Sequence, residues 1–140
     1  MPRLFGHNLI FVIAAAVVMY LIGYLWYGIL FMEPYMELSG LTEGESTPAW
    51  RMWGVGIAIP FCYAIGLAAI IAKTGGFGLA HYVKIALICG ALFAAATSLS
   101  HFAYEPGHAA MLTIINVSHL ILVFAVGGII LSFGRSSEIA

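Results

Sequence analysis

The chain has 140 residues, 63% of them hydrophobic and 8% charged, with a formal net charge of −1. A soluble domain carries about a quarter charged residues, so this chain cannot coat a water-facing surface and its excess apolar surface must face lipid. Its five Lys and Arg are scattered, which argues against nucleic acid as a partner and against a polybasic lipid-binding tail, since both need a concentrated basic face.

Four apolar runs follow one another at residues 9–32, 49–72, 82–104 and 110–133. Each is long enough to cross about 30 Å of hydrocarbon at about 1.5 Å per helical residue. An open strand edge would leave backbone groups unpaired in lipid, so helix is the state expected for all four. The predicted fold is therefore all-α: a single domain, an integral membrane bundle of four transmembrane helices.

The first run continues through Tyr20, Tyr24, Trp26 and Tyr27. That is longer than a cleaved signal segment allows, so a retained helix is expected. Tyr20, Tyr24 and Tyr27 share a face at i, i+4 and i+7. The ridge serves packing or interfacial anchoring on one reading, and ligand contact on another.

The loop that follows carries Glu33, Glu37, Glu43 and Glu45 and no basic residue. Pro34 and Gly40 bracket a short helical turn. Thr47 and Pro48 have the chemistry of an N-cap and first helical residue, with Trp50 and Trp53 at headgroup level. The second run presents small residues every fourth position, at Gly56, Pro60, Ala64, Ala68 and Ala72, with a kink expected at Pro60. The third does the same at Ala86, Gly90, Ala94 and Ser98. Lipid supplies no hydrophobic drive between helices, so close approach over small residues is what holds them. The two stripes predict that the second and third helices zip into an antiparallel hairpin across the glycine turn at 74–78. Cys62 and Cys89 lie in mid-run and read as small packing residues rather than a disulfide. Glu105-Pro106-Gly107 ends the third helix.

Arg3, Lys73, Lys84 and Arg135 fall on one side of such a bundle and Arg51 on the other. The positive-inside bias then predicts that the N and C termini are cytoplasmic.

Ionisable groups at bilayer depth are costly, so each is a functional candidate. His119 is the deepest, with Asn116 one turn earlier on the same face. The pair suits a proton relay, an axial cofactor ligand or a ligand hydrogen bond, or else a plain interhelical hydrogen bond. His101, Glu105 and His108 would share a face if their helix continued, and three such ligands suit a divalent metal. Pro106 disfavours that continuation, and a solvated helix end is the other reading. His7 and His81 read as polar flanks. No nucleophile elbow, phosphate loop, dinucleotide fingerprint or C-x-x-C is present, so no cofactor is predicted.

Gly23-Tyr24-Leu25-Trp26-Tyr27-Gly28, followed by Leu30-Phe31 and Tyr35-Met36, resembles the first-helix signature of the bacterial membrane family catalogued as domain of unknown function 1761. The resemblance resumes at Tyr104-Glu105, and again at Ile115 to His119 with Gly127-Gly128. It implies a four-helix inner-membrane protein with no established activity, and it draws attention to Trp26, Tyr27, Glu105, Asn116 and His119. The leading expectation is a non-enzymatic bundle acting by assembly, as a homo-oligomer or as a subunit of a membrane complex. The alternative is a small transporter, channel or ligand-binding protein using Asn116 and His119 with Tyr24 or Tyr27. A metal- or cofactor-binding enzyme built on His101, Glu105, His108 and His119 stands third.

Overall fold

The computed structural model describes residues 1–41 and 47–135. Glu43 and Glu45 of the acidic loop lie outside the described residues. Five helices make up the described chain: α1 (Leu9–Leu30), α2 (Met32–Ser39), α3 (Trp50–Thr74), α4 (Leu79–Tyr104) and α5 (Ala110–Ser132). All but the short α2 are long and apolar enough to cross a membrane. The molecule is a four-span α-helical membrane bundle.

Local chemistry sets the helix ends. The Asn8 side chain accepts a hydrogen bond from the Ile10 backbone N–H at 3.0 Å and so caps α1. In α2, Pro34 sits in the first turn, and the helix closes on Gly40 in the left-handed region at φ 67°. α3 opens later than a Thr47 cap would give: its first turn is closed by the Pro48 carbonyl, which accepts from both Arg51 and Met52. Pro60 lies buried inside α3, where it cannot donate to the carbonyl four residues back. Three helices also contain a widened π-helical turn, at Trp26–Leu30 in α1, Trp50–Val55 in α3 and Gly90–Ala95 in α4. Each such turn rotates the residues beyond it relative to a regular helix.

A small hairpin precedes α1. β1 (Arg3–Leu4) pairs antiparallel with β2 (His7–Asn8), across Phe5 and Gly6, both at positive φ. The Asn8 N–H donates to the Gly134 carbonyl at 2.8 Å, so the segments before α1 and just after α5 meet at one end of the bundle. His7 is not the polar flank its position suggests. It is fully buried, with Nε2 2.9 Å from the Tyr82 hydroxyl and Nδ1 3.1 Å from the Phe5 carbonyl. The hairpin folds it back over α4, where both ring nitrogens find partners. His81 lies beside the 74–78 turn, its Nε2 2.7 Å from the Thr74 hydroxyl.

The expected hairpin of α3 and α4 is replaced by a different pairing. α1 and α5 form the central contact, α3 packs chiefly on α1, and α4 packs chiefly on α5. α3 and α4 touch only sparsely. The small residues still permit close approach, but toward other neighbours. Ala64 and Ala68 are fully buried on α3, whose main partner is α1. A Cβ on Gly90 would stand 2.8 Å from the Phe124 Cβ of α5. α5 contributes the closest approaches. A Cβ on Gly128 would come within 2.6 Å of the Ala86 Cβ and 3.0 Å of the Tyr82 carbonyl oxygen, while one on Gly127 would collide with the end of Met19.

The bundle is packed unevenly along its length. The core unites Val12, Ala15, Ala16 and Met19 of α1, Ala64, Leu67, Ala68 and Ile71 of α3, Tyr82, Ala86 and Cys89 of α4, and Val123, Phe124 and Leu131 of α5. These belong to the first halves of α1 and α4 and the second halves of α3 and α5. All four segments lie toward the end that carries the termini, hereafter the terminal end. Toward the far end, where α2 lies, the helices enclose a hollow.

Candidate functional site

The hollow has a volume of about 730 Å³ and lies between α3 and α4, with α5 behind it and Tyr27 of α1 at one side. Its volume is within the range of small-molecule sites. It exists because α3 follows α1 while α4 follows α5, which leaves the two unpaired helices apart. Ile59 and Ile70 of α3 and Phe93 of α4 are exposed on its rim, so it opens on the lipid-facing side of the bundle. A second hollow of about 440 Å³ lies at the far end, walled by Tyr35, Leu38 and Ser39 of α2 and by the turn between α4 and α5. His101 and Asn116 line both. The two polar groups singled out from sequence are thus brought to adjoining hollows that share a wall.

Asn116 and His119, three residues apart on α5, both face the larger hollow. The Tyr27 hydroxyl donates to Asn116 Oδ1 at 2.8 Å. The Tyr27 ring stands edge-on to the His119 ring at 4.8 Å between centroids and at 4.9 Å from the ring of Tyr35 in α2. Trp26 lies 6.2 Å from His119 on another side, and its indole N–H donates to the Ile115 carbonyl at 3.1 Å. His119 Nε2 is buried without a hydrogen-bond partner and points at α1 beside Gly23, where an added Cβ would stand 3.4 Å from it. A Cβ at position 23 would thus stand in ordinary contact with the imidazole edge. Trp26 and Tyr27 both belong to the widened turn at Trp26–Leu30.

The aromatic ridge expected on α1 is not kept together. Tyr24 is 61% exposed and lines neither hollow, so it is not brought to Asn116 and His119 as Tyr27 is. Tyr24 precedes the widened turn and Tyr27 lies within it.

The far-end cluster also differs from expectation. α4 ends at Tyr104, and Glu105 is extended at φ −101° and ψ 107° ahead of Pro106. His108 therefore arrives from the following turn instead of the same helical face. Glu105 Oε1 is 2.6 Å from His101 Nδ1, and Oε2 is 3.6 Å from His108 Nδ1, with the two imidazoles stacked at 6.0 Å. Among the described residues no three of His, Cys, Asp and Glu are grouped closely enough to hold a metal ion; here Glu105 hydrogen-bonds His101, while His108 lies just beyond hydrogen-bond distance. The hydrogen bond from His101 holds the Glu105 carboxyl below the usual carboxylate range, and the charges of His101 and His108 act in the same sense.

Of the small residues picked out for packing, Pro60, Ala64, Ala68 and Gly90 are buried, Gly56 is half-buried, and Ala94 lines the larger hollow. Sequence reasoning does not single out Tyr63, Gly66 or Thr97, which line the same hollow. Gly66 alone carries a usable signal. A glycine in mid-helix weakens it by about 1 kcal/mol relative to alanine, yet a Cβ there would meet nothing within 4 Å. It is not needed for helix packing.

No curated protein and no solved structure gives a significant match to the chain. A family model described as "Protein of unknown function (DUF1761)" matches residues 10–132, nearly the whole membrane bundle, and the chain therefore belongs to the DUF1761 family.

Proposed function

We propose that this multi-pass membrane protein is a non-enzymatic binding protein that takes a small lipid-soluble ligand into the hollow between α3 and α4. The observation that carries this reading is the hollow itself: about 730 Å³ in volume, open toward lipid, and backed by Asn116, His119 and Tyr27. Most of its wall is apolar, from Ile59, Leu67, Ile70, Phe93, Leu120 and Phe124. An apolar pocket with a few convergent polar groups is the usual form of a small-molecule site. Buried polar groups in such a wall orient a ligand, because leaving them unpaired costs about 1–3 kcal/mol each.

Ligand binding is favoured over assembly because the small-residue stripes that suggested association are used inside the bundle, against α1 and α5. With Arg3, Lys73, Lys84 and Arg135 toward one end and Arg51 toward the other, we take the terminal end as cytoplasmic. The hollow then extends from the middle of the membrane toward its outer face.

Purification in mild detergent followed by native mass spectrometry tests this. The expected result is one chain carrying a small molecule that solvent extraction releases. Gly66→Leu, which fills the hollow from a position with free space around it, is expected to lose that molecule without losing its melting temperature. A second copy of the chain seated in place of any small molecule would contradict the proposal and favour assembly.

A further inference from the structure

We infer that the ligand of this hollow is an uncharged amphiphile whose flat head carries a carbonyl acceptor, that is, a quinone-type lipid. This rests on the binding role proposed above and specifies its chemistry. Among the described residues, no Lys, Arg, Asp or Glu lines the larger hollow. A phosphate or ammonium head drawn to that depth would lose its hydration and meet no permanent countercharge; the ionisable side chains there are His101, engaged by Glu105, and His119, whose Nε2 is buried beside Gly23. Ordinary phospholipid headgroups are therefore disfavoured. Glu105 lies only in the far-end hollow, where it is already engaged by His101 and His108.

The hydrogen-bonding groups narrow the head further. Asn116 Oδ1 accepts from Tyr27, which fixes the amide with its N–H₂, a donor, free to meet a ligand acceptor. The Thr97 hydroxyl donates to the Phe93 carbonyl on its own helix. A ligand oxygen that accepts from Asn116 completes this arrangement, as a ring carbonyl does. Two aromatic pairs line the same hollow: Tyr63 with Phe124 at 5.0 Å and 48°, and Tyr27 with His119 at 4.8 Å and 63°. Their faces and edges suit a flat ring better than a branched polyol head. The exposed rim at Ile59, Ile70 and Phe93 leaves an exit through which an apolar tail remains in lipid.

The test uses three probes with the same ten-carbon tail: decyl-benzoquinone, decanol and decyl phosphate. Each is titrated against the full chain in phosphatidylcholine nanodiscs, with binding read by equilibrium dialysis. Decyl-benzoquinone is expected to bind at least about tenfold more tightly than either of the others. Gly66→Leu and Asn116→Leu are each expected to weaken it about tenfold or more. Tyr24→Phe, at a residue that lines neither hollow, is expected to retain binding within about threefold, which separates loss of the donor from general disturbance of the bundle. Equal or tighter binding of decyl phosphate, or of decanol, that Gly66→Leu still abolishes would overturn the quinone assignment and leave the binding role standing. Binding that no probe shows, or that Gly66→Leu does not alter, would overturn both.

Discussion

Both ends of this bundle carry small residues in their helices, yet one is filled and the other hollow. At the terminal end, Gly127 and Gly128 let α1 and α4 close on α5 until a single added methyl group would overlap Met19 or Ala86. In the hollow that runs from mid-bundle toward the far end, Gly66 faces open space, and α3 and α4 stand apart. The difference teaches that a small residue in a membrane helix marks close packing only where a neighbour occupies the space it leaves. In lipid, where apolar burial gives helices no reason to close a gap, an unfilled notch can persist as a cavity. The filled end acts as a scaffold that holds the open end apart.

The strongest way to break this contrast is Gly128→Leu. A Cβ there meets the Tyr82 carbonyl oxygen at 3.0 Å as well as the Ala86 Cβ at 2.6 Å, and backbone cannot move aside cheaply. Overpacking of this kind costs about 1–3 kcal/mol or more. The thermal melt of the detergent-solubilised protein is expected to fall sharply or to lose its cooperative transition.

Next in size is the buried pair at the terminal end. His7→Ala or Tyr82→Phe leaves a buried polar atom without its partner, for an expected loss of about 1–3 kcal/mol in chemical denaturation. The same group gives a pH dependence. Burial is the largest influence on His7 and pushes its pKa below the ordinary value of 6.5, with Arg135 adding in the same direction and a hydrogen bond to Phe5 opposing. The unfolded chain therefore binds this proton more readily than the folded one. The stability His7 supplies is complete above its unfolded pKa and is lost as pH falls toward the folded value. Melting temperature is expected to drop between about pH 7 and pH 5, and His7→Gln should flatten that part of the profile.

At the far end the effects are smaller. Tyr27→Phe removes the bond to Asn116 and is expected to cost about 0.6–1 kcal/mol in stability, in line with hydrogen bonds between membrane helices. The smallest test compares the cysteines, which both line the hollow. Cys62 is exposed and Cys89 buried, so a membrane-permeant maleimide should label Cys62 first, with ligand slowing that reaction.

The sequence makes the four spans legible because a long apolar run in lipid has helix as its only option. The Asn116–His119 pairing is legible for a related reason: a three-residue spacing survives any arrangement of neighbours, since α5 runs without a break. What stays hidden depends on which helices become neighbours. The stripe at Ala64 and Ala68 says that α3 packs closely, not that its partner is α1 rather than α4. Hairpin proximity favours α4, and the observed packing overrides it. The divergence of Tyr24 from Tyr27 depends on which side of α1 faces α5 and which faces lipid, and periodicity alone does not say. The burial of His7 depends on a hairpin of a few residues ahead of α1, too short to show any pattern.

Melting temperature and ligand occupancy, measured side by side on Gly66→Leu and Gly128→Leu, test the division between scaffold and site most directly. Gly66→Leu is expected to keep or slightly raise the melting temperature, by the helix preference of leucine over glycine, while the bound molecule disappears. Gly128→Leu is expected to lose the fold itself. A Gly66→Leu protein that melts normally and still holds its ligand at full occupancy would contradict the account.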